Sequence, residues 1–137
     1  MRKITKTLVA ILLIAVLSIT SVTAFASSET ISPRFSHTDS VHFHFSATAD
    51  GGYIDATYYG FDSFARADLT VKVERRYLWL IWTEIDTWSA SSTEIDGMFS
   101  HTFNLTGSAT YRATFTLKIT GDDGTVDTIE QVIESDY

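Results

Sequence analysis

The chain has 137 residues and a net charge of −7, and it contains no cysteine. The absence of cysteine excludes disulfide bonds, thiol nucleophiles and thiolate zinc sites, so the fold must depend on an apolar core and backbone hydrogen bonds. The ten lysine and arginine residues are scattered among 17 acidic residues. Because nucleic acids and anionic lipids are bound by clustered cations, neither is an expected partner.

Residues 1–26 have the pattern of a secretory signal peptide. Three basic residues precede a short apolar run, and the small residues Ala24 and Ala26 fit the specificity of signal peptidases. We therefore predict cleavage before Ser27 and a secreted, extracellular protein that contacts a membrane only through its signal peptide. An uncleaved anchor is the alternative, but polar residues from Ser18 onward end the apolar run before it reaches the ~20 residues that a span requires.

The predicted cleavage leaves a chain that is more acidic than the precursor. It removes 26 of the 137 residues and three of the ten basic residues, which leaves 111 residues, seven basic and 17 acidic side chains, and a net charge of −10. This length is typical of one domain with one core. Residues 27–38 form a short polar lead, and residues 39–137 form the predicted domain. An exported domain of this size without disulfide bonds indicates a bacterial origin.

Apolar and polar residues then alternate with a period of two, which is typical of β-strands with one solvated face. In chain order, the predicted strands are about 41–48, 53–59, 68–74, 81–89, 99–105, 110–119 and 125–134. Glycine-containing segments at residues 50–52 and 121–124 predict hairpin turns. Residues 89–97 are rich in Ser, Thr and Asp and predict a loop, with a brief edge strand inside it as the alternative.

Seven strands without intervening helices predict an all-β fold, a single two-sheet antiparallel immunoglobulin-like sandwich. Tyr111 follows a break in the chain at Gly107 and begins the clearest of the predicted strands. This arrangement resembles the tyrosine corner of such sandwiches, in which the tyrosine hydroxyl bonds back to the preceding backbone. An ordinary core tyrosine is the alternative.

Three short motifs resemble a known family. They are Ile31–Arg34 after the Ala-Phe-Ala cleavage site, Trp82–Trp88, and Tyr111-Arg112. Together they resemble an uncharacterised family of small secreted proteins of Gram-positive bacteria, a domain of unknown function. The resemblance covers most of the predicted mature chain and implies an exported immunoglobulin-like β-sandwich. The resemblance adds no catalytic residue, because the family has no established activity.

His42 and His44 are a candidate metal-binding pair because residues two apart on a strand leave the same face. Two ligands do not complete a site. A third ligand would have to come from His37, His101 or Asp39, none of which the sequence places nearby. The alternative, which the sequence favours, is a pair of solvated histidines on the outer face of the first strand.

The fourth predicted strand carries a candidate binding face. Trp82, Glu84, Asp86 and Trp88 share one parity, so all four would face solvent if the intervening residues point inward. Indole rings stack on sugars and carboxylates accept hydroxyl protons, so this face would suit a glycan or a peptide. The alternative is that the tryptophans face the core or cover the sheet edge. A one-residue bulge would invert the assignment.

An unbroken apolar run, Tyr77–Trp82, connects the third and fourth predicted strands and includes Trp79. If it is exposed, it is a protrusion for a partner protein, for self-association or for a membrane surface. If the two strands are simply long, the run folds into the sandwich instead. The sequence leaves both options open.

The sequence contains no recognised catalytic motif. We therefore expect a non-catalytic secreted domain without a cofactor, which recognises a glycan or a protein at the cell surface through residues 77–88. A small extracellular hydrolase is one alternative, although carboxylates at Glu84 and Asp86 on one face of a strand would crowd together instead of bracketing a bond. A structural or assembly subunit of the cell surface is the other.

Overall fold

The computed structural model describes residues 35–137, which contain seven β-strands and no helix, and hence no helix that could cross a membrane. The strands are β1 (Thr38–Thr48), β2 (Gly51–Gly60), β3 (Phe64–Tyr77), β4 (Ile81–Ser92), β5 (Asp96–Phe103), β6 (Thr110–Gly121) and β7 (Val126–Asp136). The predicted cleavage site at Ala24, Ala26 and Ser27 lies outside the described residues.

The strands form two antiparallel sheets, one of three strands in the order β1-β2-β5 and one of four in the order β4-β3-β6-β7. A single cluster of buried side chains from both sheets fills the space between them. The predicted immunoglobulin-like sandwich is therefore confirmed. β4 pairs with β3, whereas the fourth strand of constant-type immunoglobulin domains joins the other sheet.

Period-two alternation builds the core most completely in β6. Five alternate residues of β6 are fully buried, namely Tyr111, Ala113, Phe115, Leu117 and Ile119. The ring of Phe115 stacks on Phe43 of the opposite sheet, with centroids 4.8 Å apart. The intervening polar residues of β6 face solvent, so the strand carries one apolar and one polar face.

The loop predicted at residues 89–97 is shorter than predicted. β4 continues to Ser92 and β5 already begins at Asp96, so only three residues connect them. Two of the polar residues that indicated a loop, Ser89 and Ser91, lie on the solvated side of an edge strand. Ser89, for example, is exposed, and its hydroxyl lies 3.2 Å from that of Thr70 on β3.

Tyr111 forms the bond that defines a tyrosine corner. Its side chain is fully buried, and its hydroxyl donates a hydrogen bond of 2.6 Å to the carbonyl oxygen of Gly107, four residues upstream. Gly107 has a φ of 74°, which is the left-handed region that favours glycine. The bond fixes the connection between β5 and β6 against the core.

Tyr111→Phe should lower the free energy of unfolding by about 1 kcal/mol, because it removes the hydrogen bond to the carbonyl oxygen of Gly107. Urea unfolding followed by fluorescence would measure the loss. Tyr59→Phe is the matched control, because Tyr59 is an exposed tyrosine on β2, and it should change the free energy by less than about 0.5 kcal/mol. Equal effects of the two substitutions would contradict the role of the corner.

Candidate functional site

A β-bulge in β4 decides which side chains of this strand reach solvent. Val73 lies opposite Asp86, but the next residue of β3, Glu74, lies opposite Glu84. Ile85 is therefore an extra residue without a cross-strand partner, and it packs against the core. A single inserted residue reverses the alternation, so β4 presents a different parity on each side of Ile85.

The bulge separates the four residues that the sequence placed on one face. Direct cross-strand partners share a face, and Trp88 lies opposite the fully buried Val71, so Trp88 and Asp86 point toward the core side. Trp82 and Glu84 lie on the outer face instead. The expectation of a common solvent-facing quartet is therefore wrong.

Trp88 and Asp86 instead contact His101 across the open side of the sandwich. The indole ring of Trp88 stacks on the imidazole of His101, with centroids 4.7 Å apart and planes 6° from parallel. Nε2 of His101 also lies 3.7 Å from Oδ2 of Asp86. Because β4 and β5 are edge strands of different sheets, this stack closes the side between the sheets.

Trp82, on the outer face, is covered by arginine. The guanidinium of Arg112 lies 4.1 Å from the ring centroid of Trp82, and that of Arg76 lies 5.6 Å away. Arg112 also bonds to the carboxylate of Glu74 through Nε and Nη2, at 2.9 and 2.7 Å. One face of the indole is thus engaged within the protein, which disfavours Trp82 as a platform for a sugar ring.

The most exposed apolar side chains lie in the connection between β3 and β4. We call residues Tyr77–Ile81 the apolar tip. Leu78, Trp79 and Leu80 expose 77%, 82% and 79% of their surfaces, respectively. The flanking strands are long, as one of the two sequence hypotheses required, but this segment projects beyond the sandwich instead of folding into it.

The turn at the apolar tip is formed by residues that turns of this type disfavour. The amide of Leu80 donates a 3.2 Å hydrogen bond to the carbonyl oxygen of Tyr77, and the two central residues, Leu78 and Trp79, have φ of 46° and 56°. Positive φ at both central positions is the type I′ pattern, in which Asn-Gly is preferred. A left-handed conformation costs about 1–2 kcal/mol per non-glycine residue.

Two arginines brace the base of the apolar tip. Nη1 of Arg75 donates a 2.8 Å hydrogen bond to the hydroxyl of Tyr77, and Nη2 of Arg76 donates one of 2.8 Å to the hydroxyl of Thr110. Neither arginine forms an ion pair within residues 35–137. The tip therefore stands on a fixed base that carries two positive charges without carboxylate partners in this part of the chain.

The metal candidates are dispersed. His42 and His44 are exposed on the outer face of β1, and Nδ1 of His44 lies 3.4 Å from Oδ2 of Asp55. His101 lies on β5 and contacts β4 across the side of the sandwich. His37 is 4% exposed and lies just before β1. Within residues 35–137 no group of three or more ligating side chains is arranged to hold an ion, so the structure brings no third ligand to His42 and His44.

Sequence reasoning missed a buried polar cluster around His37. Its Nδ1 lies 2.8 Å from the hydroxyl of Ser63, and its Nε2 lies 2.6 Å from the hydroxyl of Thr125. A β-carbon at Gly121 would lie 2.3 Å from the imidazole, so this glycine makes room for the ring. The cluster fastens the segment before β1 to the β2–β3 and β6–β7 connections. The sequence places His37 in the polar lead, where no periodicity marks a buried residue.

Asp123 supports the same cluster through the β6–β7 turn. It accepts hydrogen bonds from the side chain and the backbone amide of Thr125, at 2.7 and 2.9 Å, and these bonds hold the pKa of its carboxyl below the usual value of 3.8. Because the pKa is lowered by folding, the charged carboxylate stabilises the fold above pH 3.8, and this contribution is lost as the pH falls through the lower, folded-state pKa.

Asp123→Asn should therefore lower the melting temperature at pH 7 relative to the unsubstituted protein, because an amide accepts these bonds more weakly than a carboxylate. The difference between the two proteins should shrink as the pH falls below about 3.8, where the carboxylate gains a proton. Thermal unfolding from pH 7 down to about pH 2 would measure it. A difference that stays constant over this range would contradict the role of the charge.

Comparison with known protein families, curated proteins and solved structures finds no match to this chain. The likeness to secreted proteins of Gram-positive bacteria therefore stays a prediction from the sequence, and the functional argument depends on the geometry.

Proposed function

We propose that this protein is a secreted, non-catalytic recognition domain that docks its apolar tip into a protein partner at the cell surface. The observation that carries the proposal is the near-complete exposure of Leu78, Trp79 and Leu80 on a turn whose geometry disfavours them. Bulky apolar side chains in strained turn positions bring no stability to the fold, so a role in binding accounts for them.

The surroundings of the apolar tip fit a protein interface. Such interfaces combine an apolar centre with a polar rim, and tryptophan, tyrosine and arginine are enriched among the side chains that dominate the binding energy. Here the tip supplies Trp79 and Tyr77, and Arg75 and Arg76 supply the rim. Because the tip is convex and its base is cationic, the complementary surface is an apolar pocket flanked by acidic side chains.

The charge of the domain favours a protein over a lipid surface. Residues 35–137 contain 16 acidic and six basic side chains, and this excess of negative charge opposes approach to an anionic membrane. Glu84 and Asp86 lie on opposite faces of β4, so these two carboxylates do not form a catalytic pair.

The test compares the binding of labelled protein to intact cells of the source organism before and after protease treatment of the cell surface. Saturable binding that protease treatment removes, and that Trp79→Ala weakens at least about tenfold, supports the proposal. Met98→Ala is the matched control, because Met98 is an exposed apolar residue on the other sheet, and it should leave the affinity unchanged.

Three results would overturn the proposal. Binding that Trp79→Ala leaves intact would show that the apolar tip is not the contact. Binding that survives protease treatment and is reproduced on vesicles of the extracted lipids would assign the tip to the membrane. A Trp79-dependent dimer in sedimentation equilibrium, without binding to cells, would assign it to a second copy of the chain.

A further inference from the structure

A cleft at the end of the three-stranded sheet is a second candidate site, separate from the apolar tip. It has a volume of about 490 Å³, within the range of ligand-binding pockets. It is lined by the β1–β2 turn and the end of β5, namely Thr48, Asp50, Gly51, Gly52, Tyr53, Thr102, Phe103 and Asn104. No local sequence pattern marks this cleft, because its residues come together only through strand pairing.

Two consecutive glycines line the cleft. A β-carbon at Gly52 would lie 2.2 Å from the ring of Phe103, so the ring occupies the space of the missing side chain on the core side of the sheet. Gly51 has a φ of 128°, which side chains rarely adopt, and a β-carbon there would lie 3.1 Å from the carbonyl oxygen of Phe103. The glycines of the hairpin turn therefore contribute only backbone to the lining.

The lining residues combine an aromatic ring with hydrogen-bonding groups. Tyr53 exposes 37% of its surface on the wall of the cleft. The carboxylate of Asp50 and the amide of Asn104 form no side-chain hydrogen bond or ion pair within residues 35–137, so both can bond to a ligand. A carboxylate and an amide can hold adjacent hydroxyls while an aromatic ring packs against the C–H face of a sugar.

The chemistry of the lining excludes other classes of ligand. No lysine, arginine or histidine lines the cleft, so a phosphate or another anion would meet the negative charge of Asp50 without a cation in the lining. One carboxylate is too few for a calcium or magnesium ion, which takes six or more oxygen ligands. We propose that this cleft binds a neutral carbohydrate, with Tyr53 as the stacking platform and Asp50 and Asn104 as the hydroxyl-binding groups.

The cleft and the apolar tip open at the same end of the sandwich. The amide of Ala47, at the end of β1, donates a 3.0 Å hydrogen bond to the hydroxyl of Ser135 at the end of β7. Ser135 pairs with Tyr111, which pairs with Arg75 at the base of the tip. The two sites are thus presented in the same direction, but the carbohydrate proposal does not depend on the protein partner.

The test is a titration of the isotopically labelled protein with maltotriose, cellotriose and N,N′,N″-triacetylchitotriose, each to about 10 mM, followed by amide chemical shifts. At least one sugar should shift the amides of Gly51, Gly52 and Asn104. Tyr53→Ala should weaken that binding at least about tenfold, and Asp50→Asn about fivefold, through the loss of stacking and of a charged hydrogen bond.

Tyr59→Ala is the matched control, because Tyr59 lies on the same face of β2 at the far end of the strand and is similarly exposed. It should leave the affinity within about twofold of the unsubstituted protein. Trp79→Ala should also bind the sugar normally, which separates this site from the apolar tip. The proposal is overturned if none of the three sugars shifts the amides of the cleft, or if Tyr59→Ala weakens binding as much as Tyr53→Ala does.

Discussion

Replacing Leu78 with Asn and Trp79 with Gly should raise the free energy of unfolding by about 1–2 kcal/mol while abolishing binding to the partner. The gain is expected because Asn-Gly adopts positive φ readily, whereas Leu and Trp are strained there. The melting temperature should rise by about 5–10 °C for a domain of this size. Thermal and urea unfolding would measure the first effect, and the cell-binding assay would measure the second.

The matched control is the double variant Leu78→Ser/Trp79→Ser. It removes the same apolar surface but keeps side chains in left-handed positions, so it should lose binding without the gain in stability. A protein that becomes less stable with Asn-Gly would contradict the type I′ turn. One that becomes more stable and still binds would contradict the role of the apolar tip.

A stabilised but inactive variant would show that the sequence gives up stability for function at this turn. Natural proteins commonly retain strained or apolar residues where binding requires them. Leu78 and Trp79 are both strained and exposed. The effects of their replacement on stability and on binding therefore come from the same two residues.

Trp88→Ala should lower the free energy of unfolding by about 3 kcal/mol, because it removes a half-buried indole and its stack on His101 between the two sheets. Trp82→Ala should cost only about 1 kcal/mol, since it removes a surface contact with arginine. The two tryptophans lie six residues apart on one strand, and simple alternation would make them equivalent. Urea unfolding of both variants therefore tests the β-bulge at Ile85 directly.

Similar losses for the two variants would indicate that β4 continues without a bulge, with both indoles on one face. A larger loss for Trp82→Ala would indicate that the two faces are exchanged. Trp88→Phe provides a further check, because a smaller aromatic ring can still stack on His101 and should recover part of the lost stability.

The sandwich could be predicted because the alternation of apolar and polar residues dominates most of its strands. In β6 every buried residue alternates with a polar one, and the predicted strand 110–119 differs from the observed one by two residues at its end. The hairpin turn at residues 121–124 was equally plain, since glycine and aspartate there serve the backbone. These features are local, so the sequence alone contains them.

The predictions that failed concern features that depend on contacts between residues far apart in the chain. The segment at residues 89–97 has the composition of a loop, but the hydroxyls of an edge strand produce the same composition. The β-bulge at Ile85 leaves no mark in the sequence, and it was enough to divide Trp82 from Trp88. His37 is buried only because Ser63, Thr125 and Gly121 surround it, and these residues lie far away along the chain.

The exposed tip and the β-bulge can be tested together by acrylamide quenching of tryptophan fluorescence. The measurement uses three variants, each of which keeps a single tryptophan and has the other two replaced by phenylalanine. The chain should place Trp79 in water, Trp82 beneath Arg112, and Trp88 against His101 between the sheets. Quenching should then be strongest for Trp79, intermediate for Trp82 and weakest for Trp88. A Trp79 that is protected from quenching in the dilute protein would contradict the exposed tip. Equal quenching of Trp82 and Trp88 would contradict the β-bulge.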